Sequence, residues 1–335
     1  MVKAVYFDMF AGCSGDMVLG ALLDCGLPLE QLAEELASLP ISGYRITQEK
    51  VKRGAISATL AQVSIEENTK QPDRSYTDIV NLITSSGLNE KVKRQAAEIF
   101  RNLGEAEAKI HGVPLDRVHF HEVGAVDSII DIIGAVIGFD LLGITHFYSS
   151  PFPVTSGSIE CRHGVLPLPA PATLELISIK NSPTIKPVYA GMEGKELVTP
   201  TGAAIITSLA DFETPSLKPE IIGYGAGSRN PADFPNILRI WMGETSGATH
   251  TGGMVLLETN IDDMNPQIYD YVMEKMFKQG ALDVWFTPIQ MKKNRPAIML
   301  SVLAEDKSEI AMVEILMRET STLGVRSRPI SRHIA

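Results

Sequence analysis

The segment Val118-His119-Phe120-His121-Glu122-Val123-Gly124-Ala125-Val126-Asp127-Ser128-Ile129-Ile130-Asp131 concentrates reactive side chains in an apolar setting. His119, His121, Glu122, Asp127 and Asp131 fall within thirteen positions. Imidazole with carboxylate is a ligand set for nickel, zinc, iron or manganese. Alternation over 118–121 predicts a strand with both imidazoles on one face. From about Val126 the pattern turns helical, and Asp127 and Asp131, four apart, share a face. Ile129, Ile130, Ile132, Ile133, Val136 and Ile137 cover almost the whole circumference, so the helix is expected to be buried. Buried carboxylates are costly unless they pair, hydrogen-bond or hold a metal. The cluster as a whole therefore points to a metal or catalytic role. Singly, each residue has a structural explanation: Asp127 as a helix N-cap, His119 as a satisfied strand histidine.

A second constellation lies near the C-terminus. Glu258-Thr259-Asn260-Ile261-Asp262-Asp263 places three acids at a strand end, and hard oxygen ligands suit Mg or Mn. Lys292, Lys293 and Arg295 sit between two expected strands, with Arg326 and Arg328 beyond. Acids and a basic loop in one small domain suggest a metal–nucleoside triphosphate. A solvated hairpin loop, with Asp263 capping a helix, is the structural alternative.

Glycine loops supply a third set. Gly12-Cys13-Ser14-Gly15-Asp16 follows a strand and opens a helix, a geometry that offers backbone N–H groups to an anion. Its spacing is neither GxGxxG nor a P-loop, and a tight turn explains it equally well. Asp8 and Asp16 bracket this loop, which makes a metal-bridged phosphate conceivable, and Cys13 near a helix start could have a lowered pKa, though a single cysteine is thin support. Gly223-Tyr224-Gly225-Ala226-Gly227 could approach a ligand closely or turn between strands. Thr199-Pro200-Thr201-Gly202 has the same two explanations. Gly12, Gly15 and Gly225 are the candidates for a substrate phosphate, and Arg229 and Arg239 lie near enough in sequence to hold a phosphate or carboxylate.

These residues need a scaffold. Strands are expected over 2–7, 44–52, 57–65 and 236–242, with 44–65 forming a hairpin. Helices are expected over 17–25, 29–39, from Ser75, over 89–111 and over 172–179. The Pro- and Gly-rich stretch 151–171 reads as irregular chain. Residues 243–253 read as a linker. Beyond them a strand, helix, strand, strand, helix and strand follow in turn, the split βαβ pattern of ferredoxin-like domains. The expected architecture is an α/β or α+β N-terminal domain over 1–245 followed by a small ferredoxin-like α+β domain over 254–335.

The chain has 335 residues and a formal net charge of −10 without a long basic run, which argues against nucleic acid as a partner. Its three cysteines, Cys13, Cys25 and Cys161, form no CxxC and suit reduced thiols in a cytosolic protein. The N-terminus lacks the pattern of a signal peptide, and no apolar run approaches the length of a membrane span.

Several strings resemble the nickel insertion proteins of lactate racemase maturation. They are the residues from Phe7 to Met17, the cluster from His119 to Asp131, and His163-Gly164-Val165-Leu166-Pro167-Leu168-Pro169-Ala170-Pro171-Ala172-Thr173. Leu197-Val198-Thr199-Pro200-Thr201-Gly202-Ala203-Ala204, the 223–227 glycines and Leu257-Glu258-Thr259-Asn260-Ile261-Asp262-Asp263-Met264 complete the set. The resemblance implies a cytoplasmic enzyme that inserts Ni(2+) into pyridinium-3,5-bisthiocarboxylic acid mononucleotide, forming the nickel-pincer nucleotide. It implies a chelatase or cyclometallase of the lyase class. CTP with Mn(2+) or Mg(2+) would bind the C-terminal domain, where Asp262, Asp263, Lys292, Lys293 and Arg295 are the candidates.

In that reaction His119, His121 and Glu122 would divide nickel ligation and proton removal. Asp127 and Asp131 would join the metal or orient an imidazole from behind. Candidate partners are the small-molecule nucleotide substrate, the racemase that uses the cofactor, and a second copy of the chain. Two rivals remain: a nickel metallochaperone without turnover, and a nucleotide-dependent phosphotransferase. Residues 66–73 carry no histidine, so the histidine-rich insertion of some relatives is absent. Relatives are also expected to continue past Ala335.

Overall fold

The protein is described from a computed structural model covering residues 2–66, 71–72, 74–120, 125–161, 164–245 and 254–330. It is a mixed α/β chain that divides into two compact units, Met1–Ser246 and Gly247–Ala335. In the first unit β1 (Val2–Asp8), α1 (Gly15–Asp24), α2 (Leu29–Leu36), β2 (Tyr44–Arg53) and β3 (Ile56–Ile65) come first. Then follow β4 (Arg74–Ser75), α3 (Tyr76–Ser85), α4 (Glu90–His111), β5 (His119–Phe120), α5 (Val126–Leu141), β6 (His146–Ser149) and β7 (Phe152–Pro153). The unit closes with β8 (Gly157–Cys161), β9 (Gly164–Leu168), α6 (Pro171–Ile179), β10 (Thr184–Ile185), α7 (Pro200–Leu209), β11 (Leu217–Ala226) and β12 (Ile237–Thr245).

A six-stranded mixed sheet runs in the order β2-β3-β11-β12-β1-β6. β1 is apolar at four successive buried positions, as a central strand with both faces covered should be. It pairs antiparallel with β12 from Val2↔Thr245 to Asp8↔Arg239 and parallel with β6. β2 and β3 form the expected hairpin, turned at Gly54 with φ +58. The seam between β3 and β11 is slight, with one parallel register pair, Gly225↔Thr59.

α1 lies over that seam. Asp24, its last residue, accepts the Thr59 hydroxyl at 2.5 Å and the Tyr224 N–H at 2.9 Å, and it pairs with Lys50. One helix end thus ties β2, β3 and β11 together. The approach is possible because glycine stands at the contacts. A Cβ at Gly20 would sit 2.4 Å from the Thr59 carbonyl oxygen, and one at Gly225 would sit 1.8 Å from that of Met17.

α5 is held next to α1. Phe139 stacks edge-on against Phe7 of β1 and Phe147 of β6, at centroid distances of 5.9 and 5.0 Å. Further helices cover this pair. α3 begins with a Ser75–Asp78 capping box, and α4 runs from an Asn89 N-cap to a left-handed Gly112.

Two expectations are corrected. The 151–171 stretch is not wholly irregular, because β8 and β9 form a hairpin within it. Pro167 is tolerated there because a two-stranded ribbon has only edge strands. The 223–227 glycines are not a loop either: Gly223 and Gly225 lie in β11, directly beneath α1.

The second unit contains β13 (Met254–Ile261), α8 (Ile268–Lys278), β14 (Asp283–Met291), β15 (Arg295–Glu305), α9 (Glu309–Glu319) and β16 (Arg326–Ile330). Its antiparallel sheet has the order β14-β15-β13-β16. Val272 and Met276 of α8 share one core with Met312 and Leu316 of α9 and with Leu257 and Val302 of the sheet.

The glycine contacts are testable by substitution. Gly225→Ala should cost about 1–3 kcal/mol or more, because the new methyl meets backbone that cannot yield. Gly134→Ala, inside α5, meets only Leu side-chain atoms at 3.4 Å and beyond. It should be neutral or stabilise by up to about 1 kcal/mol through helix propensity. Urea midpoints of the two variants check the contrast, and a tolerated Gly225→Ala would contradict the packing described.

Candidate functional site

The N-terminus of α1 and the first turns of α5 meet in the first unit. Gly15 allows it: a Cβ there would fall 2.7 Å from both Cβ and Oδ2 of Asp131. Beside this contact opens a cleft of about 340 Å³, lined by polar groups that include Asp16, Asp127, Asp131, Gln62, Ser64 and Ser228.

Asp16 is well supported. Its carboxylate accepts the Ser14 hydroxyl, the Met17 N–H at 2.8 Å and the Ser228 N–H at 3.2 Å. Burial raises its pKa against these three lowering contacts. Asp131 has no such support, and no hydrogen bond stabilises its charge among the described residues. Burial, then the charges of Asp16 and Asp127, push its carboxyl well above the usual range. Two crowded carboxylates, one without donors, can share a proton or accept a cation.

Asp127 is exposed in the first turn of α5 and accepts the Ser128 N–H at 2.8 Å. It is not the N-cap: Ala125 holds that position. The favourable place of an acid in a first turn explains it structurally, and its position on the cleft gives it a second use.

The histidine end of the sequence cluster is described only in part. His119 and Phe120 form a two-residue strand, with Ser75 opposite His119 and Arg74 opposite Phe120. The side chain of His119, and residues His121 and Glu122, lie outside the described residues. Among the described residues there is no group of three or more His, Cys, Asp or Glu placed to hold a metal.

The other loop candidates part company. Asp8 does not join Asp16. It pairs with Arg239, whose guanidinium lies over Phe10 and Trp241 at 5.6 and 5.5 Å. Gly12 is packed on backbone, with a Cβ position 1.9 Å from the Leu197 carbonyl oxygen. Thr199 caps α7 through the Gly202 N–H, and Gly202 in turn abuts the Cys13 carbonyl. Cys13 corrects an expectation: burial and the Asp16 charge raise its pKa, where a helix start alone would lower it. Burial and Asp24 likewise push Cys25 up to about 12.

Sequence reasoning noticed Asp16 but paired it with the wrong acid. It missed Gln62, Ser64, Thr47 and Ser228. Thr47 and Gln62 are register partners in the hairpin, and no local pattern announces which face of a hairpin meets a distant helix.

In the second unit a cavity of about 580 Å³ is lined by residues that include Asp262, Tyr269, Gln290 and Ile298. Asp262 lies 3.0 Å from the Arg295 guanidinium. Asp263 turns elsewhere and accepts the Ser321 hydroxyl. Lys292 and Lys293 are exposed on the single turn joining β14 to β15, where Lys293 has φ +60. Acid, guanidinium and ammonium groups thus gather at this end of the sheet, but Asp262 and Asp263 do not act as one pair.

Among the described residues no helix is long and apolar enough to cross a membrane. The first unit is an α/β scaffold that sets the carboxylates of Asp16, Asp127 and Asp131 on one polar cleft. The family described as nickel insertion protein matches residues 5–335, and the chain belongs to it. A relative named for nickel insertion in Dictyoglomus thermophilum is 46% identical over 335 residues, 99% of this chain and 84% of that one. Another, from Syntrophobacter fumaroxidans, is 48% identical over 333 residues, with 99% and 84% covered. A solved apo structure is that of the C-terminal domain of a cyclometallase involved in the synthesis of the NPN cofactor of lactate racemase. It is 40% identical over 24% of this chain and 57% of that chain, with a TM-score of 0.24.

The raised Asp131 carboxyl has a consequence for stability. An acid whose pKa is raised on folding contributes stability that is full below its unfolded value, about 4, and is lost as pH rises through the folded value. Asp131→Asn removes that loss. With a chelator present, the variant should melt higher than the parent at pH 8, by about 2–4 °C for each ~1 kcal/mol relieved. The two should converge at about pH 4 and below. A variant that melts lower at pH 8 would mean that the carboxylate is compensated by groups outside the described residues.

Proposed function

We propose that this chain inserts nickel into pyridinium-3,5-bisthiocarboxylic acid mononucleotide, in a CTP-dependent reaction that yields the nickel-pincer nucleotide. Family membership supports the nickel. The observation that carries the site is the Asp131 carboxylate beside Asp16, without a donor among the described residues, near the start of the helix that follows His119, His121 and Glu122. Nickel is a substrate here. A divalent cation would offset the burial, and the repulsion from Asp16 and Asp127, that together raise the Asp131 pKa, and the histidines would complete an imidazole–carboxylate set.

The chemistry is a substitution at carbon. The ring C–H between the two thiocarboxylates breaks, a C–Ni bond forms, and both sulfurs bind the metal. No electron count changes, so the step needs a base for one proton and open positions for sulfur. Within this reading His119, His121 and Glu122 share ligation and proton removal. Asp131 and Asp127 bind the metal or orient an imidazole. Asp16, already held by three donors, fixes the position of the cleft wall.

The second unit is assigned to CTP with Mn or Mg. Its β-α-β-β-α-β order and antiparallel sheet support a ferredoxin-like fold. The cavity at Asp262, with Arg295 at its side and Lys292 and Lys293 on the adjoining turn, supports a triphosphate there. The compartment proposed is the cytoplasm, where the buried thiols of Cys13 and Cys25 stay free. The activity is a chelatase or cyclometallase of the lyase class.

Two measurements test this division of labour. Replacing both His119 and His121 by alanine should abolish nickel incorporation and leave CTP binding intact. In the parent, nickel affinity should fall as pH drops through roughly 6.5, because only neutral imidazole binds metal. Wild-type product formation by the double variant would remove the histidines from the site, and nickel uptake without any product would mark a carrier. Lys292→Glu should weaken calorimetric CTP binding by about 2 kcal/mol, the range of a charge-assisted contact. Unchanged affinity would exclude Lys292 from the nucleotide site.

A further inference from the structure

A second cavity adjoins the carboxylate cleft. Its volume is about 270 Å³, and Lys195, Glu196, Arg229, Asn230, Phe234 and Asn236 contribute to its lining. Two cations against one acid leave the lining with a charge of 2 − 1 = +1. Arg229 lies 3.4 Å from Glu196, with 61% of its side chain exposed, an ion pair worth little and easily opened to a ligand. Lys195 is exposed, yet its backbone is pinned: its carbonyl accepts the Thr155 hydroxyl at 2.6 Å, and its N–H donates to Met192.

The turn that carries Arg229 is itself closed. Asn236 donates from Nδ2 to the Arg229 carbonyl at 3.0 Å, and the Gly227 N–H donates to the Asn236 carbonyl at 3.0 Å. Glycine at 227 leaves the Asn236 amide its place, since a Cβ would fall 2.4 Å from the amide nitrogen and displace that side chain. Ser228 faces the cleft and donates its N–H to Asp16, while the next residue, Arg229, faces the cavity. Consecutive Cα atoms lie about 3.8 Å apart. One rigid turn therefore separates a carboxylate wall from a cationic one.

We propose that this cavity binds the phosphomonoester of a pyridine mononucleotide whose ring extends into the Asp16–Asp131 cleft. Arg229 and Lys195 supply charge-assisted donors to the phosphate oxygens, and the side-chain amide of Asn230 supplies a neutral one. This location differs from the glycines at 12, 15 and 225. The Cβ spaces of those glycines are occupied by Leu197, by Asp131 and Thr201, and by Met17, respectively. The proposal rests on the proposed function for the pyridine mononucleotide; the cavity by itself points to an anionic group the size of a phosphate, held by Lys195 and Arg229.

The test uses the full chain with two probes, nicotinic acid mononucleotide and its dephosphorylated nucleoside, titrated calorimetrically. The parent should prefer the phosphorylated probe by about tenfold or more, as charge-assisted contacts imply. Inorganic phosphate should compete for it. Lys195→Gln and Arg229→Gln should each erase most of that preference while leaving nucleoside affinity unchanged. Because Lys195 is exposed, its variant does not depend on refolding the turn. Equal affinity of the parent for both probes, or variants that keep the preference, would overturn the assignment. Nickel uptake by the same proteins is read separately. Its loss in the parent would sink the proposed function and leave the phosphate preference standing as its own result.

Discussion

The first unit depends on how closely α1 can approach the β3–β11 seam. Layers held apart by ordinary side chains, such as two stacked sheets, stand about 10 Å apart. Here backbone meets backbone, because Gly20 on the helix and Gly223 and Gly225 on the strand leave no side chain between them. The seam has a single register pair of its own, so α1 supplies much of what joins the hairpin to the rest of the sheet. Everything at the site follows from that seating. It fixes Asp16 at the opposite end of the helix, brings Gly15 onto Asp131 of α5, and sets Ser228, just beyond β11, against Asp16.

Much of this was legible locally. The capping signals at Ser75, Asn89 and Gly112 mark helix ends by their own chemistry. The β2–β3 hairpin and the element order of the second unit follow from alternation and turns close in sequence. What was not legible is long-range. β3 meets β11 at Thr59 and Gly225, and nothing in either string indicates the other. Without that pairing, a glycine that makes room for a helix looks like one that makes room for a phosphate. Asp8 could have been separated from Asp16 earlier. Along β1 it alternates with the buried Val5 and Phe7, so it belongs to the other face, where Arg239 waits.

At the candidate site a costly acid interrupts an otherwise apolar helix. Eleven residues of α5 are buried, and Asp131 interrupts that helix with a charge close to two other acids. Ordinary packing selection would place an apolar residue there. The cost is tolerable because the rest of the helix is anchored independently, by Phe139 between two strands and by the core around it. A ligand that neutralises Asp131 recovers the cost on binding, which links occupancy to stability.

The three acids on this packing unit differ in how far they are satisfied. Asp24, with 9% of its side chain exposed, receives a hydroxyl, an amide and an ammonium. Asp16 receives a hydroxyl and two amides. Asp131 receives none among the described residues. The fold can therefore surround a buried carboxylate with donors a few residues away in space, and it does so twice on α1. The lack of donors at Asp131 is local. It coincides with the place where α1, α5 and the turn after β11 converge on a polar cleft. An acid without donors among the described residues, beside two other carboxylates, is electrostatically suited to a cation, which is why the proposed function places nickel there.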